Sequence, residues 1–244
     1  MNTLGVISSK GGVGKTVVSI NLSAALMKAG RNVVLVDSDV KMSGVGLQLG
    51  MYSFHKTIND ILAGKGGNIL EAMCIHSSGL RIIPASLCLK EANMANMVKV
   101  LKHPSLKNSK IVVDTPPGME KNAFSVMRAV DDVVVVTTPE IPAIADAIKS
   151  IKSARECGCN VLGVVVNRYN KNRYSNVRLR EIEAVCDVPV LGAVPEDKNI
   201  QKSLHKKIPV TIMKPKAPSS KSFHEIAGRI CEIEKFNVNR GGGK

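Results

Sequence analysis

Seven short stretches of the chain are almost wholly apolar: Leu4 to Ile7, Asn32 to Val36, Leu80 to Pro84, Lys110 to Val113, Asp132 to Thr137, Val161 to Val166 and Pro189 to Val194. They are valine-rich and unbroken rather than alternating, which suits strands covered on both faces, as in a parallel sheet. Between them the period changes to that of a helix. Val18, Leu22, Ala25 and Ala29 share one face, with Gly30 as a stop signal, and Ala145, Ile148 and Ile151 repeat the pattern with Gly158 behind them. Phe223, Ile226, Ile230 and Ile233 form a last stripe, read as the closing core helix with a cap near Ser220. Strand and helix alternating along the chain predict an α/β fold, a doubly wound, mostly parallel sheet. Ligands in such sheets bind at the carboxyl ends of strands, so the residues just after each strand are the candidates for chemistry.

After the first strand stands SKGGVGKT, Ser9 to Thr16, which fits the phosphate-loop pattern GxxxxGK[ST] except that Ser9 replaces the first glycine. Gly11, Gly12, Val13 and Gly14 let the backbone curl so that successive N–H groups and the helix N-terminus point at phosphate oxygens. Lys15 supplies charge to the outer phosphates and Thr16 offers its hydroxyl to Mg²⁺. A second strand ends on Asp114, where a Walker B carboxylate belongs, followed by a Pro116-Pro117-Gly118 turn suited to sensing a γ-phosphate. A third ends on Asp37 and Asp39: one would support the metal while the other orients water. The candidate metal set is Thr16, Asp37, Asp39 and Asp114.

Composition narrows the setting. The 244 residues are 44% hydrophobic and 22% charged, an ordinary globular balance, and no apolar run is long enough to span a bilayer. Without a leader-like start, a cytoplasmic protein is expected. The six cysteines and five histidines show no zinc spacing, and Cys157-Gly-Cys159 is read as a pair of ordinary thiols at a helix end. The formal net charge of +14 is concentrated in two acid-free runs, five basic residues in Arg168 to Arg180 and seven lysines in Lys198 to Lys221. They mark surfaces for weak binding to an anionic membrane or DNA, which leaves a peripheral place at a membrane open.

KGGVGKT with Lys10 resembles the deviant Walker A motif of the MinD/ParA family of P-loop ATPases. VDSDV and DTPPGME resemble its two switches. TINDILAG, TPEIPAIADAIK, VVVNR and VPED follow in the family's order, in the manner of archaeal MinD-type ATPases. The resemblance spans Met1 to about Arg229, and residues 1–234 are expected to be one ATPase domain with 235–244 a short flexible tail.

The resemblance implies an ATPase (cofactors ATP and Mg²⁺) that dimerises in the ATP state, hydrolyses slowly and is read by a partner protein in spatial organisation such as cell division. Lys10 would reach the phosphates of the other subunit; with Lys15 and Asp39 it completes the catalytic set. Asp39 would position water, and Asp37 and Asp114 would support the magnesium shell. Asn167 would bond adenine, with Arg168, Pro195, Glu196 and Asp197 bordering the base. Val17 stands where many relatives have a second threonine, beside the α-phosphate. Pro-Pro-Gly in the second switch is closer to the Mrp-type iron–sulfur carriers, so a carrier remains an alternative, as do a DNA-partitioning ATPase and a small-molecule kinase. The tail residues KFNVNRGGGK are too poor in apolar side chains for a basic amphipathic anchor.

Overall fold

Each of the seven apolar runs forms a strand. In chain order the elements are β1 (Thr3–Ile7), α1 (Lys15–Lys28), β2 (Val33–Asp37), α2 (Val45–Gln48), α3 (Ile58–Leu62), β3 (Cys74–Ile75) and β4 (Arg81–Ile83). Then come α4 (Met97–Leu101), β5 (Lys110–Asp114), α5 (Lys121–Met127), β6 (Asp132–Thr137), α6 (Ile141–Glu156), β7 (Asn160–Tyr169) and α7 (Leu179–Cys186). The chain ends with β8 (Val190–Pro195), α8 (Lys198–Lys206), α9 (Val210–Met213) and α10 (Pro218–Gly241). The computed structural model describes residues 3–64, 68–88, 92–170 and 177–241.

The strands make one eight-stranded sheet in the order β3-β4-β2-β5-β1-β6-β7-β8. β3 runs antiparallel to β4, and the other pairs are parallel. β3 was not among the predicted strands, since two residues carry no period. The order reverses around β1, which lies between β5 and β6. A crevice at the carboxyl end of β1 is the consequence.

Pleating sends Val34, Val36, Ile111, Val113, Val133 and Val135 to one face, against Met97, Val126, Ile144, Ile151 and Ile182 of α4 to α7. Val33, Leu35, Val112, Val134 and Val136 face the other way, against Leu22 of α1, Val210 of α9 and Phe223, Ile226 and Ile230 of α10. Both faces are covered, so apolar runs without alternation were required. Fully buried Phe223 alone removes a large apolar side chain from water, worth about 1.5–3 kcal/mol.

Two expectations need correction. The buried face of α6 is Ala143, Ile144, Ala147, Ser150, Ile151 and Ala154, so of the expected stripe only Ile151 is buried, Ile148 is half-buried and Ala145 is exposed. A serine sits on the inner face, and apolar residues alone misreport it. The α10 helix starts at Pro218, and its first turn is tied by Asp197, whose Oδ2 accepts from Ser219 N and Oγ at 3.2 and 2.7 Å. Ser220 instead donates its hydroxyl to Val210 O at 2.9 Å. The α10 helix continues to Gly241; nothing from Lys235 to Arg240 breaks a helix, and the glycine run begins only at Gly241.

Candidate functional site

The loop between β1 and α1 is shaped by two glycines in the left-handed region, Gly12 at φ 81° and Gly14 at φ 90°. A side chain at Gly14 would also collide with Asn167, whose Nδ2 lies 2.2 Å from the place of a Cβ. Val13 anchors the loop by its buried side chain, and its carbonyl accepts from Asn167 Nδ2 at 2.8 Å. Gly11 and Gly12 are exposed at the mouth.

Lys15 and Thr16 open α1 and converge on Asp114 at the end of β5. Lys15 Nζ lies 2.8 Å from Asp114 Oδ1, and Thr16 Oγ1 donates to Oδ2 at 2.8 Å. A third donor, Ser19 Oγ, reaches Oδ1 at 2.8 Å. Ser19 was missed by the motif, although its place four residues after Lys15 puts it on the same helix face.

Parallel pairing of β2 with β5 sets Asp37 beside Asp114. Asp37 is fully buried; its Oδ2 accepts from Ser43 Oγ at 2.9 Å and Val45 N at 3.1 Å, and its Oδ1 from Asp39 N at 3.1 Å. Burial, with the Asp114 charge adding to it, pushes the Asp37 carboxyl up to about 7 against these hydrogen bonds. Asp39 is raised as well, first by burial, while the amides of Met42 and Lys41 and the charge of Lys15 oppose the shift. Its Oδ1 accepts from Lys41 N at 3.3 Å and Met42 N at 3.0 Å, so it shapes the turn after β2. Of the candidate metal set, Thr16, Asp37 and Asp114 are brought together and Asp39 bonds elsewhere. Among the described residues the carboxylates form no three-ligand metal cluster. A P-loop magnesium does not need one, because it keeps waters and phosphate oxygens as ligands.

Beyond Gly14 and Val17 a cleft of about 700 Å³ is lined by Asn167, Arg168, Pro195, Glu196 and Asp197. These are the residues expected around the base. The sequence did not point to Lys198, Gln201 and Leu204 of α8, which close its far side. Arg168 takes φ 55° near the end of β7, where the register with β8 shifts between Val166 and Tyr169. Asp197 borders the cleft, but its carboxylate is committed to capping. Oδ1 takes Asn199 N at 2.8 Å and Oδ2 takes Ser219, and these bonds outweigh burial to hold its carboxyl below the ordinary range. Asn167 Oδ1 is buried with no hydrogen-bond partner among the described residues. Such an acceptor at a cleft wall suits an amino group of a ligand.

Lys10 is exposed, and its side chain makes no ion pair or hydrogen bond among the described residues. The family model described as "ParA: NUBPL iron-transfer P-loop NTPase" matches residues 1–231. The chain belongs to the ParA family of P-loop NTPases. It is 34% identical to an ATP-binding protein of Methanocaldococcus jannaschii over 93% of this chain and 86% of that protein. The cell-division ATPase MinD of Pyrococcus furiosus has a similar structure, with TM-score 0.89 at 32% identity, over 96% of this chain and 100% of that one. MinD of Pyrococcus horikoshii, solved with Mg-ADP, gives 0.88 at 30% identity over 96% and 97%.

This ParA-family member is a P-loop ATPase whose cofactors are ATP and Mg²⁺. Its residues fit them: a glycine cradle, a lysine, a threonine hydroxyl beside a carboxylate, and a buried acceptor at the cleft wall. No helix of the described residues is long and apolar enough to cross a membrane.

Proposed function

We propose that this ATPase is a nucleotide-state switch of MinD type: it forms a homodimer with ATP·Mg²⁺ bound, hydrolyses slowly, and is read in the dimer state by a partner protein. The observation that carries the reading is the contrast between two lysines of one loop. Lys15 is buried on Asp114, whereas Lys10 stands exposed without a partner among the described residues. One charge is committed inside the site and the other is free to act outward, in the manner of an arginine finger given in trans.

ATP supplies the phosphates and Mg²⁺ the divalent charge. The Gly11–Gly14 backbone and Lys15 bind and orient the phosphates, and Thr16, steadied by Asp114, offers its hydroxyl to the metal. Asp37 stands behind that hydroxyl as a second carboxylate. Asp39 orients water and, acting mainly in the transition state, affects kcat more than binding. Asn167 Oδ1 accepts from an exocyclic amine of the base, while Nδ2 stays on Val13 O.

The test is Lys10→Ala, with ATP affinity by calorimetry and mass by light scattering. Affinity near wild type with loss of the ATP-dependent dimer is expected. An affinity loss as deep as that of Lys15→Ala, or a normal dimer, overturns the reading.

The family description's mention of iron transfer supports a second reading, an iron–sulfur carrier. Cys159 does not suit it: its thiol donates to Met127 O at 3.0 Å and burial pushes it up to about 12. Iron retained after anaerobic purification would favour the carrier. The basic runs support weak binding to an anionic surface, membrane or DNA. Lys198, Lys202, Lys206, Lys214, Lys216 and Lys221 are exposed; Lys171 and Arg173 of the other run lie outside the described residues.

A further inference from the structure

Ser9, the residue that departs from the phosphate-loop pattern, does not need to be glycine, because it is not among the positive-φ positions of the described chain. Its hydroxyl and amide both turn to one atom. Ser9 N donates to Ser150 Oγ at 3.0 Å, and the two hydroxyl oxygens are 2.5 Å apart. Ser150 lies on the inner face of α6 with no exposed surface, and its own hydroxyl donates back to Asp146 O at 3.1 Å. The proton count is then closed. Ser150 Oγ gives its one hydrogen to Asp146 O and accepts with both lone pairs, from Ser9 N–H and Ser9 O–H. Buried serines in helices usually stop at the back-bond; this one is also a fixed acceptor for the loop.

The next residue is Lys10. Its carbonyl accepts from Ser8 Oγ at 3.2 Å, and Ser8 O accepts from Gly118 N of the second switch at 3.1 Å. The backbone on both sides of Lys10 is therefore held, through Ser9 to α6 and through Ser8 to the second switch, while the Lys10 side chain has no partner among the described residues. A long side chain magnifies any turn of its backbone at the ammonium, and a misplacement of about 1 Å costs a catalytic group as much as ~100-fold.

The geometry points to Ser150 as a positioning residue for hydrolysis: clasping Ser9, it sets the direction in which Lys10 leaves the loop toward the phosphates of a second copy. This rests on Lys10 acting in trans. Ser150→Ala removes both bonds to Ser9. ATP affinity should stay within about twofold, because the Gly12–Thr16 cradle is untouched, while kcat falls about tenfold or more. Ser9→Ala keeps the amide bond and should fall less; being milder, it serves where Ser150→Ala fails to fold.

Mixed dimers decide the case. In Ser150→Ala mixed with Asp39→Ala, the site of the Ser150→Ala copy has its own Asp39 and receives a well-placed Lys10 from the other copy, so turnover with ATP·Mg²⁺ returns. Mixed with Lys10→Ala it should not return. If the first mixture stays inactive while Lys10→Ala with Asp39→Ala regains turnover, Ser150 acts within its own subunit and the clasp is refuted, with the role of Lys10 intact. If Lys10→Ala with Asp39→Ala also fails, the trans reading falls and takes this inference with it.

Discussion

Asp114→Ala removes the acceptor of three donors from a place where water hardly enters. Asp114 is 1% exposed and Lys15 8% exposed, so the variant leaves an ammonium buried beside two hydroxyls. The hydroxyls count for less. Ser19 can turn wholly to Lys15 O, already 3.1 Å away, and Thr16 is half-buried and within reach of water. The stranded charge dominates; breaking such a pair from one side costs up to about 3–5 kcal/mol, less what Asp39, whose carboxyl feels the Lys15 charge, and Asp37, relieved of the Asp114 charge, give back. Removing both partners is a different perturbation, because apolar replacement of a buried pair is often neutral. Lys15→Met with Asp114→Ala should therefore recover about 2 kcal/mol or more of the loss. For a chain of this size the single variant should melt roughly 10 °C lower. Urea titrations followed by circular dichroism, without nucleotide, give the cycle of wild type, two singles and the double. Additivity within about 0.5 kcal/mol would show that the two side chains do not interact, and the account of the buried pair would be wrong.

Asp37 is an acid whose folded carboxyl is raised to about 7, so the native state binds the proton more tightly than the unfolded chain. Stability on its account is full below the ordinary carboxylate range and is lost as pH rises toward about 7; Asp37→Asn should flatten urea-derived stability across that window, and an unchanged slope would refute the assignment. Asp197 is the opposite case: its carboxyl is lowered by the bonds from Asn199 and Ser219, so its stabilisation is present above the ordinary carboxylate range and lost in acid. Asp197→Ala unties the starts of α8 and α10 together and should cost about 1–3 kcal/mol by urea titration, with weaker ATP binding measured by calorimetry because α8 walls the cleft. Neutralising Lys198, Lys202 and Lys206 should flatten the salt dependence of binding to DNA or anionic vesicles; no binding at low salt returns these lysines to a solvated face.

The unbroken valine runs determined seven strands and the doubly wound class, since only a sheet covered on both faces asks for apolar residues without alternation. Ser9 to Thr16, Asp114 and Asp37 were legible as chemistry because glycine freedom, a helix start and strand-end carboxylates are local properties. What lay beyond reach depends on contacts between residues far apart in the chain. The two-residue β3 exists only because β4 offers it an edge. Ser19 and Asp114 are distant in sequence and meet because α1 lies over β5. Asp197 lines the cleft as expected, but that its carboxylate caps two helices could be seen only once the fold set α10 next to it. Ser9 read as a lapse from the pattern. Only the packing of α6 against the loop turned it into a bonded position, since a hydroxyl's role is decided by which acceptor the tertiary structure brings within hydrogen-bond reach.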